Sequence, residues 1–322
     1  MHTRALANAP FSVSAIGLGC NNFGRVGTVS ESQEGTTAVI HAALDAGVTF
    51  FDTADIYGGS WGVSESLMAE ALRGRRDEAV IATKFGHGEV ATPLDALGAK
   101  GSRAYMRAAV DASRERLGTD TIDLFQIHTP DPATPIEETL IALAELVTEG
   151  AIRAYGHSQF TAEQVRAAND AADHLGVVRF ATSQDQLSLA VRDAEVDGRL
   201  AAAIEGGQAY LPFFPLHNGL FTGKFTRTER PAGTRIAQIR PHLADEADWD
   251  AMEAYQELCD GWRLTMLEAT FGWFLANPAI ASVIAGATRP EQVTANGAAA
   301  DVKLSSAQVA EIEVLFPASA EA

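Results

Sequence analysis

The feature that most constrains this chain is a repeated alternation of two kinds of segment. Short apolar runs rich in β-branched and aromatic residues occur at 15–19, 49–54, 79–83, 122–127, 152–156, 180–183, 209–214 and 281–285. Between them lie longer segments of helical periodicity, at 36–46, 64–72, 102–117, 135–149, 161–175, 265–276 and 290–298. Most of the apolar runs lack an in/out alternation, as strands covered on both faces should. Ser64 and Thr161 stand at N-cap positions, Pro135 opens a first turn, and Gly47, Gly118, Gly150 and Gly176 follow last turns. Strand, helix, strand, helix in this order predicts parallel βαβ units. Eight of them predict a closed (β/α)8 barrel, α/β in class and a single domain over residues 1–322. The competing arrangement is an open, doubly wound sheet, which would carry Gly-x-Gly-x-x-Gly after its first strand if it bound a dinucleotide. Here the first run ends Gly17-Leu18-Gly19-Cys20-Asn21-Asn22, which does not match. Residues 217–250, with Gly219, Gly223, Pro231, Gly233 and Pro241, predict a long irregular loop after the seventh strand. Loops of that length in compact domains usually serve function.

The composition narrows the class of partner. A chain of 322 residues can bury a large core. Its formal net charge of -18 argues against nucleic acid and anionic membrane surfaces, both of which demand a basic patch. An anionic small molecule would need a local positive pocket inside this acidic envelope. The two cysteines, Cys20 and Cys259, are too few for a disulfide scaffold and belong to no metal-binding spacing. No stretch reaches the roughly 18 consecutive apolar residues of a membrane span, and residues 1–10 carry no long apolar run of a secretory signal. A cytoplasmic enzyme is expected, with its Ala/Glu-rich end at 318–322 frayed.

Polar residues recur where the apolar runs end. Asp52 follows Thr49-Phe50-Phe51, Lys84 follows Val80-Ile81-Ala82-Thr83, and His128 follows Leu124-Phe125-Gln126-Ile127. Ser158 and Gln159 follow 152–156, and Gln184 follows 180–183. In a barrel these are all C-terminal strand ends, so they converge on the mouth that carries catalysis. A buried Asp and a buried Lys are costly apart and tolerable together, and Asp52 and Lys84 fall on consecutive strands. Tyr57 lies just past the second strand and can turn back over the mouth. A lysine ammonium beside its hydroxyl is expected to lower the phenol below its usual pKa of about 10. Such a Tyr can give or take a proton, and His128 offers a further donor to the same oxygen. This combination suits hydride transfer to a carbonyl, the hydride coming from a cofactor. Each residue also has a plainer reading. Asp52 alone is an ordinary turn residue, His128 before Thr129-Pro130 shapes a turn, Gln184 satisfies buried backbone, and Arg289 is a surface charge.

Several ordered segments resemble the aldo-keto reductase family. They are Phe50-Phe51-Asp52-Thr53-Ala54-Asp55-Ile56-Tyr57-Gly58, Ile122 to His128, Gly150 to Ser158, Pro215-Leu216-His217-Asn218-Gly219-Leu220-Phe221-Thr222-Gly223-Lys224, and Ser282 to Gln292. The resemblance spans nearly the whole chain. It is strongest to a branch with bacterial general-stress and sugar-related reductases and potassium-channel β-subunits. It implies a TIM barrel with an N-terminal β-hairpin and a long loop after strand 7, reduction of aldehydes or ketones, and a nicotinamide cofactor, NADP in preference to NAD. The family's catalytic tetrad falls on Asp52, Tyr57, Lys84 and His128, and its carboxamide-holding residues on Ser158, Gln159 and Gln184. Its remaining cofactor positions fall on Pro215, Leu216, Gly219, Lys224, Gly286, Arg289, Gln292 and Asn296. Gln159 stands where Asn is usual, and Gly286 and Gln292 replace a Lys and an Arg that grip the 2′-phosphate in many members, which leaves Lys224 and Arg289 as the nearby cations. Phe23, Trp61 and Phe85 follow strand ends and are candidates for an apolar substrate pocket, with plain packing as the alternative. Three other functions stay open: an NAD-linked sugar or alcohol dehydrogenase working in reverse, a cofactor-binding regulatory subunit, and a barrel lyase or isomerase using Lys84 as a Schiff base.

Overall fold

The computed structural model describes residues 1–318; part of the end expected to fray, 319–322, lies outside them. A short antiparallel hairpin opens the chain, β1 (Thr3–Ala5) with β2 (Ser12–Ser14). Eight parallel strands follow: β3 (Ile16–Gly19), β4 (Phe50–Asp52), β5 (Val80–Phe85), β6 (Ile122–Ile127), β7 (Ile152–Ser158), β8 (Thr182–Gln184), β9 (Ala209–Tyr210) and β10 (Val283–Gly286). Their spatial order is β10-β3-β4-β5-β6-β7-β8-β9. The two ends of this sheet meet. Tyr210 N donates to Ala279 O (2.9 Å), Ala281 N to Tyr210 O (3.0 Å) and Ile284 N to Pro212 O (2.9 Å), with bridges Tyr210–Ile280 and Phe213–Ile284. The sheet therefore closes into the (β/α)8 barrel.

The seventh barrel strand is shorter than the apolar run at 209–214. Pro212 and Pro215 have no N–H to give a ladder, so β9 has only two residues and the wall continues as single bridges. The third is longer than its run, and Lys84 lies within β5 rather than beyond it.

Helices cover the barrel: α1 (Gln33–Asp45), α2 (Val63–Ala71), α3 (Arg103–Leu117), α4 (Ile136–Thr148) and α5 (Ala162–Leu175). Their signals act locally. Ser102 and Thr161 accept backbone N–H bonds at their N-caps, Thr161 in a full capping box, and Gly118 and Gly176 close α3 and α5 in left-handed conformation. The stretch 217–250 is not one irregular loop. It holds a 3-10 turn at His217–Thr222, then α8 (Arg235–Ile239) and α9 (His242–Asp245), after two short helices earlier in the chain, α6 (Asp193–Val196) and α7 (Arg199–Glu205). The long helix α10 (Trp249–Trp262) starts on an Asp248 cap. Then come α11 (Met266–Ala276), α12 (Pro290–Ala299) and α13 (Ser306–Leu315). Among the described residues no helix is long and apolar enough to cross a membrane.

The hairpin seals the lower end of the barrel. Leu6 and Val13 pack in one buried cluster with Phe50, Ala82, Leu124, Ala154, Ala181 and Leu211 from the strands. The functional end is thereby the opposite one. One layer up, the interior turns polar, and Lys84, Gln126, Gly156 and Thr182 stand side by side in register across β5 to β8. Gly156 has no room for a side chain. A Cβ there would meet Thr182 Oγ1 at 2.0 Å and Thr182 O at 3.0 Å. Gly156→Ala should lower the unfolding free energy by about 1–3 kcal/mol, the scale of core overpacking, and thermal unfolding of the purified variant checks this.

Candidate active site

The ends of β4 and β5 set the first two functional groups. Asp52 is the last residue of β4 and Lys84 the fifth of β5, both fully enclosed. Lys84 Nζ lies 2.6 Å from Asp52 Oδ2 and 2.9 Å from the Thr53 carbonyl. The chain beyond β4 stays tied to the ladder, Thr53 N to Ala82 O and Asp55 N to Lys84 O, and then turns. Gly58 makes the turn at φ 98°, where a Cβ would collide with Phe23 O at 2.7 Å. This turn folds Tyr57 back so that its hydroxyl oxygen lies 3.5 Å from Lys84 Nζ. The Tyr57 and His128 rings meet edge to face at 5.7 Å, and His87 stacks edge-on against His128 at 4.8 Å.

Asp52 is itself held. Its Oδ1 accepts from Gln184 Nε2 (2.9 Å) and Gln126 Nε2 (3.3 Å), and Gln126 Oε1 accepts from Thr182 Oγ1 (3.1 Å). Gln126 and Thr182 were not singled out from sequence. The signal was present, since Gln126 is a polar residue inside an otherwise apolar buried strand. Gln159 sits at φ 62°, a left-handed conformation unusual for Gln. Its amide nitrogen donates to the His128 carbonyl at 3.1 Å.

Burial governs the protonation states. Burial, the largest single influence, disfavours the charge of Lys84, but Asp52 and Tyr57 together outweigh it and Lys84 is held above its ordinary value. An ammonium this stable is a poor Schiff-base nucleophile, against the lyase reading. Tyr57 departs from the expectation set by its sequence neighbours: its pKa is raised, because burial at its oxygen outweighs the Lys84 charge and Asp52 adds to the rise. Tyr57 is therefore a phenol at neutral pH. His128 is pushed well down by burial and by the charge of Lys84, so it is a neutral imidazole. Behind the site, Asp55 is driven up to about 7, first by burial and next by the charge of Glu65. Arg116, which would offset this, is engaged by Glu65 at 2.6 Å.

A cavity of about 1090 Å³ opens over this group. Asp52, Tyr57, His128, Ser158, Gln159 and Gln184 line it, Lys84 lying beneath. Pro215, Leu216, Gly219 and Lys224 line it from the segment after β9, and Gly286, Arg289, Gln292 and Asn296 from the segment around α12. The three apolar candidates do not line it. Phe23 and Phe85 are wholly buried in the core, Phe85 stacked on Phe125 at 4.4 Å, and Trp61 lies 4.0 Å from the Arg116 guanidinium. Strand-end position placed them near the mouth, but the core took Phe23 and Phe85 and the Arg116 guanidinium took Trp61. His217 is buried outside the cavity lining.

This grouping of Asp, Tyr, Lys and His at the mouth of a closed barrel is accompanied by a match over residues 15–316 to the model of the aldo/keto reductase family. The chain belongs to the aldo/keto reductase family. It is 30% identical over 308 residues to L-glyceraldehyde 3-phosphate reductase of Escherichia coli O157:H7, covering 92% of this chain and 86% of that one. It is 32% identical to the aldo-keto reductase str7 of Strobilurus tenacellus (94% and 89%). It is 30% identical to a probable voltage-gated potassium channel subunit beta of Arabidopsis thaliana (94% and 92%). This aldo/keto reductase is an enzyme of the oxidoreductase class, and its relatives lie in the branch that the sequence motifs resemble.

The buried Asp55 gives this family member a pH signature. A carboxyl whose folded pKa lies above its unfolded value contributes stability that is complete below about pH 4 and lost as pH rises toward 7. Asp55→Asn should remove that loss, which is on the order of a few kcal/mol. Denaturant unfolding at pH 5 and pH 8 checks it: the stability gap between the two should be smaller in the variant than in the parent.

Proposed function

We propose that this enzyme reduces aldehydes or ketones to alcohols with NADPH, Tyr57 acting as the proton donor. The observation that carries this reading is the Lys84 ammonium, neutralised by Asp52 and set beside the hydroxyl of a protonated Tyr57 at the floor of a large cavity. A phenol poised in this way can hand its proton to a carbonyl oxygen as negative charge develops there. The Lys84 charge then stabilises the phenolate left behind. His128 stays neutral, and its Nδ1 is buried without a partner. Its proton is better carried on Nε2, from which it can donate to the same substrate oxygen. Gln126 and Gln184 fix the Asp52 carboxylate and so the position of Lys84.

The residues fit a dinucleotide. The cavity is at or above the upper end of the roughly 300–1,000 Å³ common for small-molecule sites, so it has room for a cofactor and a small substrate together. When bound, a nicotinamide cofactor supplies the hydride. Ser158, Gln159 and Gln184 line the cavity, and they are the residues that would hold its carboxamide end. Lys224 and Arg289 line the cavity, and among the described residues neither makes an ion pair with a carboxylate. Lys224 is lowered by burial and then by the neighbouring Arg289 charge, a pairing that a 2′-phosphate would relieve. This favours NADP over NAD. Reductase names among the relatives support reduction as the direction. The complete acid-base group weighs against a purely regulatory subunit.

Tyr57→Phe should cut turnover by at least about a hundredfold, the scale of one lost general acid, with cofactor affinity retained; steady-state assays of reduced-nicotinamide absorbance together with cofactor titration check both halves. Arg289→Ala should weaken NADPH by about tenfold or more relative to NADH, the worth of one charge-assisted hydrogen bond. Dissociation constants for the two cofactors measure this.

A further inference from the structure

Asp55 stands two residues before Tyr57 and has no part in the proton transfer, yet it is as deeply enclosed as the Lys84–Asp52 pair. Both of its carboxyl oxygens are buried, and neither has a hydrogen-bond partner among the described residues. The charged and titratable groups facing it come from α2, from α3 and from the segment before α3. Glu65 of α2 uses its two oxygens elsewhere, accepting from Thr83 Oγ1 and from Arg116 Nε, each at 2.6 Å. Arg116 of α3 is thereby engaged, and the Tyr105 hydroxyl of the same helix lies 2.9 Å from Thr92 Oγ1. Lys100 donates to the His87 and Val90 carbonyls, each at 2.7 Å. On Asp55's own turn the Trp61 indole N–H is also buried without a partner. The nearby cations are thus committed to other groups, and Asp55 has no counter-charge of its own.

A carboxylate is not stable in such a place. A buried charge without a partner is costly, and the group gives up the charge instead. The turn built on Asp55 is the one that carries Tyr57. Asp55 N donates to Lys84 O at 3.0 Å, and Gly62 N donates to Asp55 O at 2.5 Å, which closes the turn over 55–62. Just beyond it, Ser64 N donates to Tyr57 O at 3.1 Å. Arg116 lies against this turn: a Cβ on Gly62 would meet its Cδ at 2.1 Å, and its guanidinium sits 4.0 Å from the Trp61 ring. The tip of the turn, Gly59 and Ser60, is exposed. Loss of the Asp55 proton would set a second negative charge beside Glu65 under this turn. Recruiting Arg116 would strip Glu65, which is fully buried. The remaining relief is for the turn to open toward water, and Tyr57 travels with it.

Building on the reductase reading above, we propose that Asp55 is a positioning residue for Tyr57: its neutral carboxyl keeps the 55–62 turn closed and the phenol beside Lys84, and its ionisation opens the turn and withdraws the proton donor. An alkaline limit on turnover follows, and the reacting groups do not set it. Burial, with Glu65 adding to it, brings Asp55 up to about 7. Tyr57 is held above its ordinary 10, and His128 and His87 below their ordinary 6.5. The window between them belongs to Asp55.

The test follows kcat/KM for a panel of small neutral aldehydes at saturating NADPH from pH 6 to pH 9. The purified enzyme should lose about tenfold or more across that range, with its midpoint near 7. Asp55→Asn is uncharged at every pH and should show no fall in this window, whatever its level at pH 6. A second measurement needs neither turnover nor that variant. Trp61 fluorescence, taken as the difference between the parent and Trp61→Phe, should titrate with the same midpoint as the turn opens. A parent profile flat from pH 6 to pH 9, an equal fall in Asp55→Asn, or a Trp61 signal that does not titrate overturns the inference and leaves the reductase reading standing. A parent that reduces no aldehyde at any pH overturns the reductase reading, and the fluorescence titration then decides by itself whether Asp55 controls the turn.

Discussion

The site rests on one buried ion pair. Lys84 and Asp52 are both enclosed, and neither is affordable in the barrel interior without the other. Their 2.6 Å contact fixes the ammonium, and the ammonium fixes the electrostatic surroundings of the Tyr57 oxygen. Three further elements serve that pair. Gln184 and Gln126 satisfy the remaining carboxylate oxygen, and Thr182 orients Gln126. Gly156 leaves the gap that admits Thr182. A polar layer of this kind inside a barrel is stable only when each member has a partner, and Lys84, Gln126, Gly156 and Thr182 share one register across β5 to β8.

Charge is distributed in two tiers. The exterior is strongly acidic, and most surface arginines are spent on carboxylates. The cavity keeps Arg25, Lys224, Arg235 and Arg289 without a carboxylate partner among the described residues. An acidic envelope around a positive cleft focuses anionic ligands on the cleft and discourages long polyanions from the surface. A small anionic ligand satisfies both conditions.

Much of this was legible in the sequence. The order of strands and helices, the closed barrel and the convergence of Asp52, Tyr57, Lys84 and His128 all follow from periodicity and from polar residues at strand ends. The errors have specific causes. Phe23, Trp61 and Phe85 sit near strand ends but point into packing, because position along a strand does not say which face a side chain takes once the strand turns. β9 broke early on Pro212. α10 was missed because its Asp248 cap lies inside a stretch dense in Gly and Pro signals, and those signals mark boundaries without saying what lies between them.

The sequence by itself determined what is local: the two periods, caps such as Thr161 (though Ser64, expected as a cap, lies inside α2 behind Gly62), and the identity of the groups offered at each strand end. Tertiary structure decided what depends on sums over distant neighbours. Nothing near Tyr57 in the chain indicates that burial would outweigh the lysine charge, since desolvation is set by every atom packed around the oxygen. Gln184 turned to Asp52, 132 residues away, and Arg25 and Arg235, from separate segments, came to line one cavity. Electrostatics in a folded interior is long-ranged and weakly screened, so the fold fixes its balance, and no window of sequence contains it.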